Sequence, residues 1–245
     1  MIPIQDTIPS RNFPIMNWVI IGLNAVVFWF QLSLGEDQLE ALFYQYGVVP
    51  ARYAQASAEA VGIWGYFPFL SSMFLHGGWG HFLGNMWSLY IFGDNVEDRM
   101  GPRAYLLFYV LSGLAAGFLH YYLNMFSQVP AIGASGAIAG VMGAYLMLYP
   151  GSRIIFLVPF FFIPYFFEIP AFIYLSLWFL GEFLNGTSFL LSASSIAGGI
   201  AFWAHVGGFL AGLVLYRFFI RKKNGSYQSS EPPYYQRYRD YYSDF

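Results

Sequence analysis

Ser135 lies in the run Gly133-Ala134-Ser135-Gly136, a hydroxyl among small residues at the head of an uncharged, helix-length segment. Seventy positions later, His205 sits inside another apolar segment. A hydroxyl is a weak nucleophile until a neighbouring base takes its proton, and a neutral imidazole is the usual base. Pro130 and Gly133 predict a loop just before Ser135. The helix that follows would offer unused backbone N–H groups and a positive dipole end beside the hydroxyl. Ala201, His205, Gly208 and Gly212 follow i, i+4, i+7, i+11 and share one face, small except for the imidazole. Gly136, Gly140 and Gly143 give the Ser135 helix a similar face, so the two surfaces look complementary. Packed together, they would bring Ser135 and His205 within hydrogen-bond distance. No carboxylate is placed beside His205 by spacing. Glu168 and Glu182 belong to a separate helix or its start, and Asp94, Glu97 and Asp98 lie at the far end of another. A two-residue dyad is the economical reading.

A second polar group precedes these. His81 and Asn85 are i, i+4 and point the same way, while His76 falls elsewhere on the turn. Two polar side chains stacked in apolar sequence suit donors aimed at one point, such as a developing oxyanion. A metal site built from His76, His81 and His205 is the rival chemistry. It lacks an HExxH pattern and a carboxylate companion, and His76 and His81 are poorly spaced for one face. His120 reads as a satisfied core or interface histidine.

The elements that must position these groups are set by composition. Only 10% of residues are charged and 58% are hydrophobic, whereas soluble domains carry about a quarter charged residues. No Asp, Glu, Lys or Arg occurs in 12–35, 60–93, 104–152 or 183–216. A spanning helix needs about 20 apolar residues, so each tract supplies at least one span and the third supplies two. A net charge of −2 indicates no nucleic-acid surface, and the absence of cysteine removes disulfides and thiolate chemistry. The N-terminal MIPIQDTIPSRNFP lacks the basic start of a signal peptide, so the run from Met16 to Leu34 is expected to remain as an anchor.

Helices are predicted at 15–34, 71–95, 103–124, 133–149, 168–186 and 194–219. The stretch from Ile154 to Phe167 contains Pro159 and Pro164 and reads as an interfacial or re-entrant segment, not a seventh span. With six spans, Arg11, Arg99, Arg103, Arg153, Arg217, Arg221, Lys222 and Lys223 fall on one side and Arg52 alone on the other. The positive-inside rule makes the first side cytoplasmic. The expected fold is an all-α polytopic bundle of six transmembrane helices with both termini cytoplasmic. Residues 1–14 form the N-terminus, 15–222 the membrane domain and 223–245 a disordered cytoplasmic tail. The Glu36–Tyr66 connection is then external.

Taken together, these motifs resemble the rhomboid family of intramembrane serine proteases. The matching residues are Gly133-x-Ser135-Gly136, Ala204-His205-x-x-Gly208-x-x-x-Gly212, His76-x4-His81-x3-Asn85 and Gly93-x3-Glu97-x3-Gly101, covering roughly Phe67 to Tyr216 in the family's order. The resemblance implies Ser135 as nucleophile, His205 as general base and acid, and His81 with Asn85 as oxyanion stabilisers. It implies structural roles for Glu97, Arg99 and Gly101, and a water-filled cavity open to the outside. Substrates would be single-span membrane proteins cleaved near the outer part of their helix, with the lipid bilayer as surroundings and no metal or organic cofactor. Three positions depart from the pattern. Phe67-Pro68 replaces a Trp-Arg pair, and Ala139 replaces an aromatic residue that stacks on the histidine, so another side chain must support the imidazole; Trp203 is near in sequence. The competing reading is a non-catalytic rhomboid-like binding protein or a structural subunit of a membrane complex. A bacterial inner membrane is the expected location.

Overall fold

The computed structural model describes residues 1–54, 61–160, 163–191 and 201–221. The chain runs through α1 (Ile15–Leu32), α2 (Glu36–Tyr46), α3 (Pro50–Ala54), α4 (Pro68–Ser71), α5 (Trp79–Met100), α6 (Pro102–Leu123), α7 (Ser135–Leu148), α8 (Ala171–Leu191) and α9 (Phe202–Phe219). Each of the six predicted helices has a counterpart. Among the described residues, three helices, α1, α6 and α9, are long and apolar enough to cross a membrane by length and composition alone.

The boundaries move for local reasons. The second predicted helix begins at Trp79, not 71, because Gly77 and Gly78 interrupt it; the residues before them form short turns at Ile63–Tyr66 and Ser72–Phe74 around α4. Pro170 ends an extended run, so the fifth begins at Ala171. The sixth begins at Phe202, and the predicted turns at 194–200 lie outside the described residues, as does the predicted tail at 223–245.

The all-α expectation is corrected by a three-stranded antiparallel sheet, in the order β1 (Ile2–Asp6), β2 (Arg153–Phe160), β3 (Ile163–Pro170). The segment read as interfacial or re-entrant is therefore a β-hairpin, with Arg153 opposite Pro170 and Pro159 opposite Pro164. Prolines forbid a helix but tolerate extended chain at a free edge. Pro164 lies on the outer strand, and Pro159 lies beyond Leu157, where the pairing with β1 ends. Ile, Phe, Val and Tyr favour the pleated conformation that remains. The first residues, expected to be a simple terminal segment, instead pair with β2 through Ile2 opposite Leu157 and Asp6 opposite Ile154.

The centre of the molecule is the crossing of α7 and α9. A Cβ at Gly208 would overlap the carbonyl oxygen of Gly136, and one at Gly212 that of Gly140. The helices thus touch backbone to backbone, as small residues permit in membrane interfaces. Ala137, Ala139, Val141 and Ala144 of α7 are fully enclosed. Helix α6 closes on the same glycines, with Ala116 and Ser112 against Gly136 and Gly140.

Buried polar groups join the periphery to this centre. The Glu97 carboxylate accepts the free N–H groups of Met16 (3.0 Å) and Asn17 (2.7 Å), capping α1 from α5. Asn17 in turn donates to Leu89 O at 2.9 Å and accepts from Tyr105 Oη at 2.8 Å. Asp6 is buried at the end of β1, where it accepts hydrogen bonds from Tyr145 Oη and, at 3.0 Å, Asn95 Nδ2.

Two outcomes follow from this packing. Gly208→Ala should lose about 1–3 kcal/mol from forced separation of α7 and α9, measured by thermal unfolding in detergent; parental stability would contradict the backbone contact. Burial pushes the Asp6 carboxyl up to about 7, against the pull of its Tyr145 bond. Its folded pKa exceeds its unfolded value, so docking of β1 is favoured at low pH and weakens as pH rises through about 7. Amide exchange at Ile2–Asp6, corrected for intrinsic rates, should quicken from about pH 5 to about pH 8.5, and Asp6→Asn should flatten that dependence.

Candidate active site

Ser135 opens α7 at the end of a loop pinned on two sides. Val48 and Ala131 exchange backbone hydrogen bonds (3.0 and 2.8 Å), and Gly133 N–H donates to Ser72 O at 2.9 Å. Gly133 has φ +130, a region that L side chains rarely adopt. A Cβ there would also stand 2.6 Å from His81 Nε2 and 3.4 Å from Ser135 Oγ. Only glycine lets the chain turn here while the imidazole of His81 approaches. The first intrahelical bond runs from Ile138 N–H to Ala134 O at 3.0 Å. The N–H groups of Ser135, Gly136 and Ala137 are therefore not consumed by the helix.

His205 lies one turn into α9, and its Nε2 is 2.7 Å from Ser135 Oγ. The two residues singled out by the sequence meet because the glycine faces of their helices touch. The imidazole is also held from α8. Glu182 Oε2 lies 2.7 Å from His205 Nδ1, with both side chains mostly buried (16% and 12% exposed). A carboxylate only accepts, so Nδ1–H donates to Glu182. In the neutral ring, Nε2 then accepts the Ser135 hydroxyl proton. The expectation of a two-residue dyad with no neighbouring carboxylate is thus corrected: serine, histidine and glutamate form a continuous chain. Spacing did not reveal Glu182 because it is 23 residues from His205 on a different helix. A signal was present, since Tyr174, Trp178 and Glu182 repeat at i, i+4, i+8, placing a lone carboxylate on an aromatic stripe.

That stripe also supplies the missing ring support. Trp178 lies 6.0 Å from His205 between ring centroids, at 35°. Trp203 faces away, packing edge-on against Phe183 and donating from Nε1 to Gly186 O at 3.2 Å.

His81 and Asn85 both line a cavity of about 610 Å³ together with Ser135, His205, Trp178 and Glu182. His81 Nδ1 accepts from Gly77 N–H at 3.3 Å, which leaves Nε2 on the side of Gly133 and Ser135. Asn85 Nδ2 is buried without a hydrogen-bond partner among the described residues. His76 is not part of the cavity wall. Its ring packs edge-on to Phe28, Phe82 and His81, and its backbone is held by Gln31. His120 lies on α6 beside Asn124 Nδ2, at 3.5 Å. Phe67 and Pro68, where a Trp-Arg pair was expected, start α4; here Phe67 meets Tyr46, and Ser71 Oγ donates to Tyr46 O at 2.8 Å.

A family profile described as the Rhomboid domain matches residues 63–222, well over half of the chain. Among curated proteins, rhomboid protease GluP of Bacillus subtilis is 30% identical over 145 residues, 59% of this chain and 26% of its own length. Putative rhomboid protease YdcA of the same bacterium is 28% identical over 138 residues, 56% of this chain and 64% of its own. Rhomboid protein 1, mitochondrial, of Saccharomyces cerevisiae is 26% identical over 219 residues, 84% of this chain and 53% of its own. The chain thus spans less than two thirds of each of these relatives. With the domain match covering α4 to α9, every element that lines the cavity included, this chain is an integral membrane protein of the rhomboid family.

Proposed function

We propose that the protein is an intramembrane serine endopeptidase in which Ser135 attacks a peptide carbonyl and His205 moves the protons. The observation that carries this reading is the 2.7 Å approach of Ser135 Oγ to His205 Nε2 on the wall of a cavity. His205 takes the serine proton as the tetrahedral intermediate forms, then returns it to the leaving amine. Water hydrolyses the acyl-serine by the same route in reverse. The developing oxyanion is stabilised by the unused N–H groups at the head of α7, with Asn85 Nδ2 and His81 Nε2 as side-chain donors. The Asn85 amide supports this assignment, because it lines the cavity with no partner among the described residues and so has a donor to offer there.

The placement in the bilayer follows from lengths. Helix α7 has 14 residues, about 21 Å at 1.5 Å per residue, against a hydrocarbon core of about 30 Å. If its C-terminal end reaches one face, Ser135 is sunk below the other. The six long helices are read as six spans, with both termini on the cytoplasmic side where the basic residues gather. Substrates are then single-span membrane proteins, which must unwind locally to present an extended backbone to the cavity. Relatives come from a bacterium, and others are named mitochondrial or chloroplastic; a bacterial inner membrane is the location we infer.

Purified protein reconstituted with a single-span substrate should yield two fragments, and Ser135→Ala should abolish them. Undiminished cleavage by that variant would overturn the assignment. A fluorophosphonate should label Ser135 in the parent; folded protein that resists labelling would favour a non-catalytic binding or scaffold role. Asn85→Ala should lower kcat by about 10² with little change in KM. Trp178→Ala should slow labelling more than Trp203→Ala does, since only the former ring meets the imidazole.

A further inference from the structure

The geometry points to Glu182 as a positioning residue that turns the Ser135–His205 pair into a serine–histidine–glutamate triad. The inference rests on the proteolytic reading above and deepens it. Two independent hydrogen bonds meet the imidazole, Glu182 Oε2 at Nδ1 and Ser135 Oγ at Nε2, both at 2.7 Å. They enter from opposite edges of the ring, so together they fix its rotation and its tautomer. Without a partner at Nδ1, a neutral imidazole divides between two tautomers, and one of them carries a proton on the nitrogen that must accept from serine. The carboxylate removes that form.

Its charge acts at a later moment. When Ser135 attacks, its proton passes to Nε2 and the ring becomes an imidazolium between the oxyanion and Glu182. Between two mostly buried side chains, a cation forming beside a fixed carboxylate is stabilised more than in bulk solvent. Glu182 acts through the imidazole, and no proton need leave Nδ1. Trp178 belongs to the same stripe of α8 one turn earlier, and its ring lies beside the imidazole. One helix therefore supplies both the wall that limits ring movement and the charge that orients it. Ala139 on α7 is fully buried and small, so α7 leaves this task to α8.

Three variants separate charge, reach and packing. Glu182→Gln keeps an acceptor oxygen but loses the charge; Glu182→Asp keeps the charge with a shorter reach; Glu182→Leu removes both. With a reconstituted single-span substrate, Glu182→Gln should lower kcat at least tenfold with KM within about twofold and unchanged thermal unfolding. Glu182→Asp should recover part of the loss. In 15N-histidine NMR spectra, with the His205 signal assigned by its disappearance in His205→Ala, the parent should show the Nδ1–H form. Glu182→Leu should shift that signal towards mixed tautomers. Parental kcat in Glu182→Gln together with an unchanged His205 signal in Glu182→Leu would overturn the inference and leave the proteolytic reading standing. If the parent itself cleaves nothing in a Ser135-dependent way, the proteolytic reading fails. The tautomer measurement still decides whether Glu182 sets the state of His205.

Discussion

Backbone contact between α7 and α9 is the constraint on which the other features depend. Lipid tails are as apolar as leucine, so helices in a bilayer gain little by hiding side chains from solvent. They associate through close packing, which improves as the side chains between them shrink. Gly208 and Gly212 lie directly over the carbonyls of Gly136 and Gly140. At that separation, Ser135 at the head of one helix and His205 one turn into the other meet at 2.7 Å. Any larger side chain at the crossing would move the hydroxyl away from the ring. The same residues therefore govern both the packing of the two helices and the approach of Ser135 to His205.

Several polar groups inside this protein answer one another. Glu97 satisfies the head of α1, Asn17 links Leu89 and Tyr105, and Asp6 binds Tyr145 and Asn95. Such bonds replace water at helix ends that the bilayer cannot solvate. Asn85 is the contrast, because its amide lines the cavity without a partner among the described residues.

The loop before Ser135 is over-determined. Val48 holds Ala131, Ser72 holds Gly133, and the φ of Gly133 suits glycine alone. A segment held at Ala131 and at Gly133 keeps the head of α7 in one place. At the opposite end of α7, the sheet formed by β1, β2 and β3 ties the start of the chain to the α7–α8 connection. The two ends thus have different designs, one a pinned turn and the other a small sheet.

Much of this was legible in one dimension. Charge-free tracts mark the long helices because burying a charge in lipid is costly, and glycine spacing marks the crossing faces because only a missing side chain allows backbones to touch. Ser135, His205, His81 and Asn85 stood out as polar groups in apolar sequence. Tertiary structure decided the rest. Residues 154–167 are apolar on nearly every position, so no period of two distinguished strand from buried segment, and only the pairing of β2 with β3 and with Ile2–Asp6 revealed the sheet. Whether Glu182 faces His205 depends on the rotation of α8 about its own axis, which its packing against α9 sets. Local sequence determines what a side chain can do; which atom it faces is determined by contacts between helices distant along the chain.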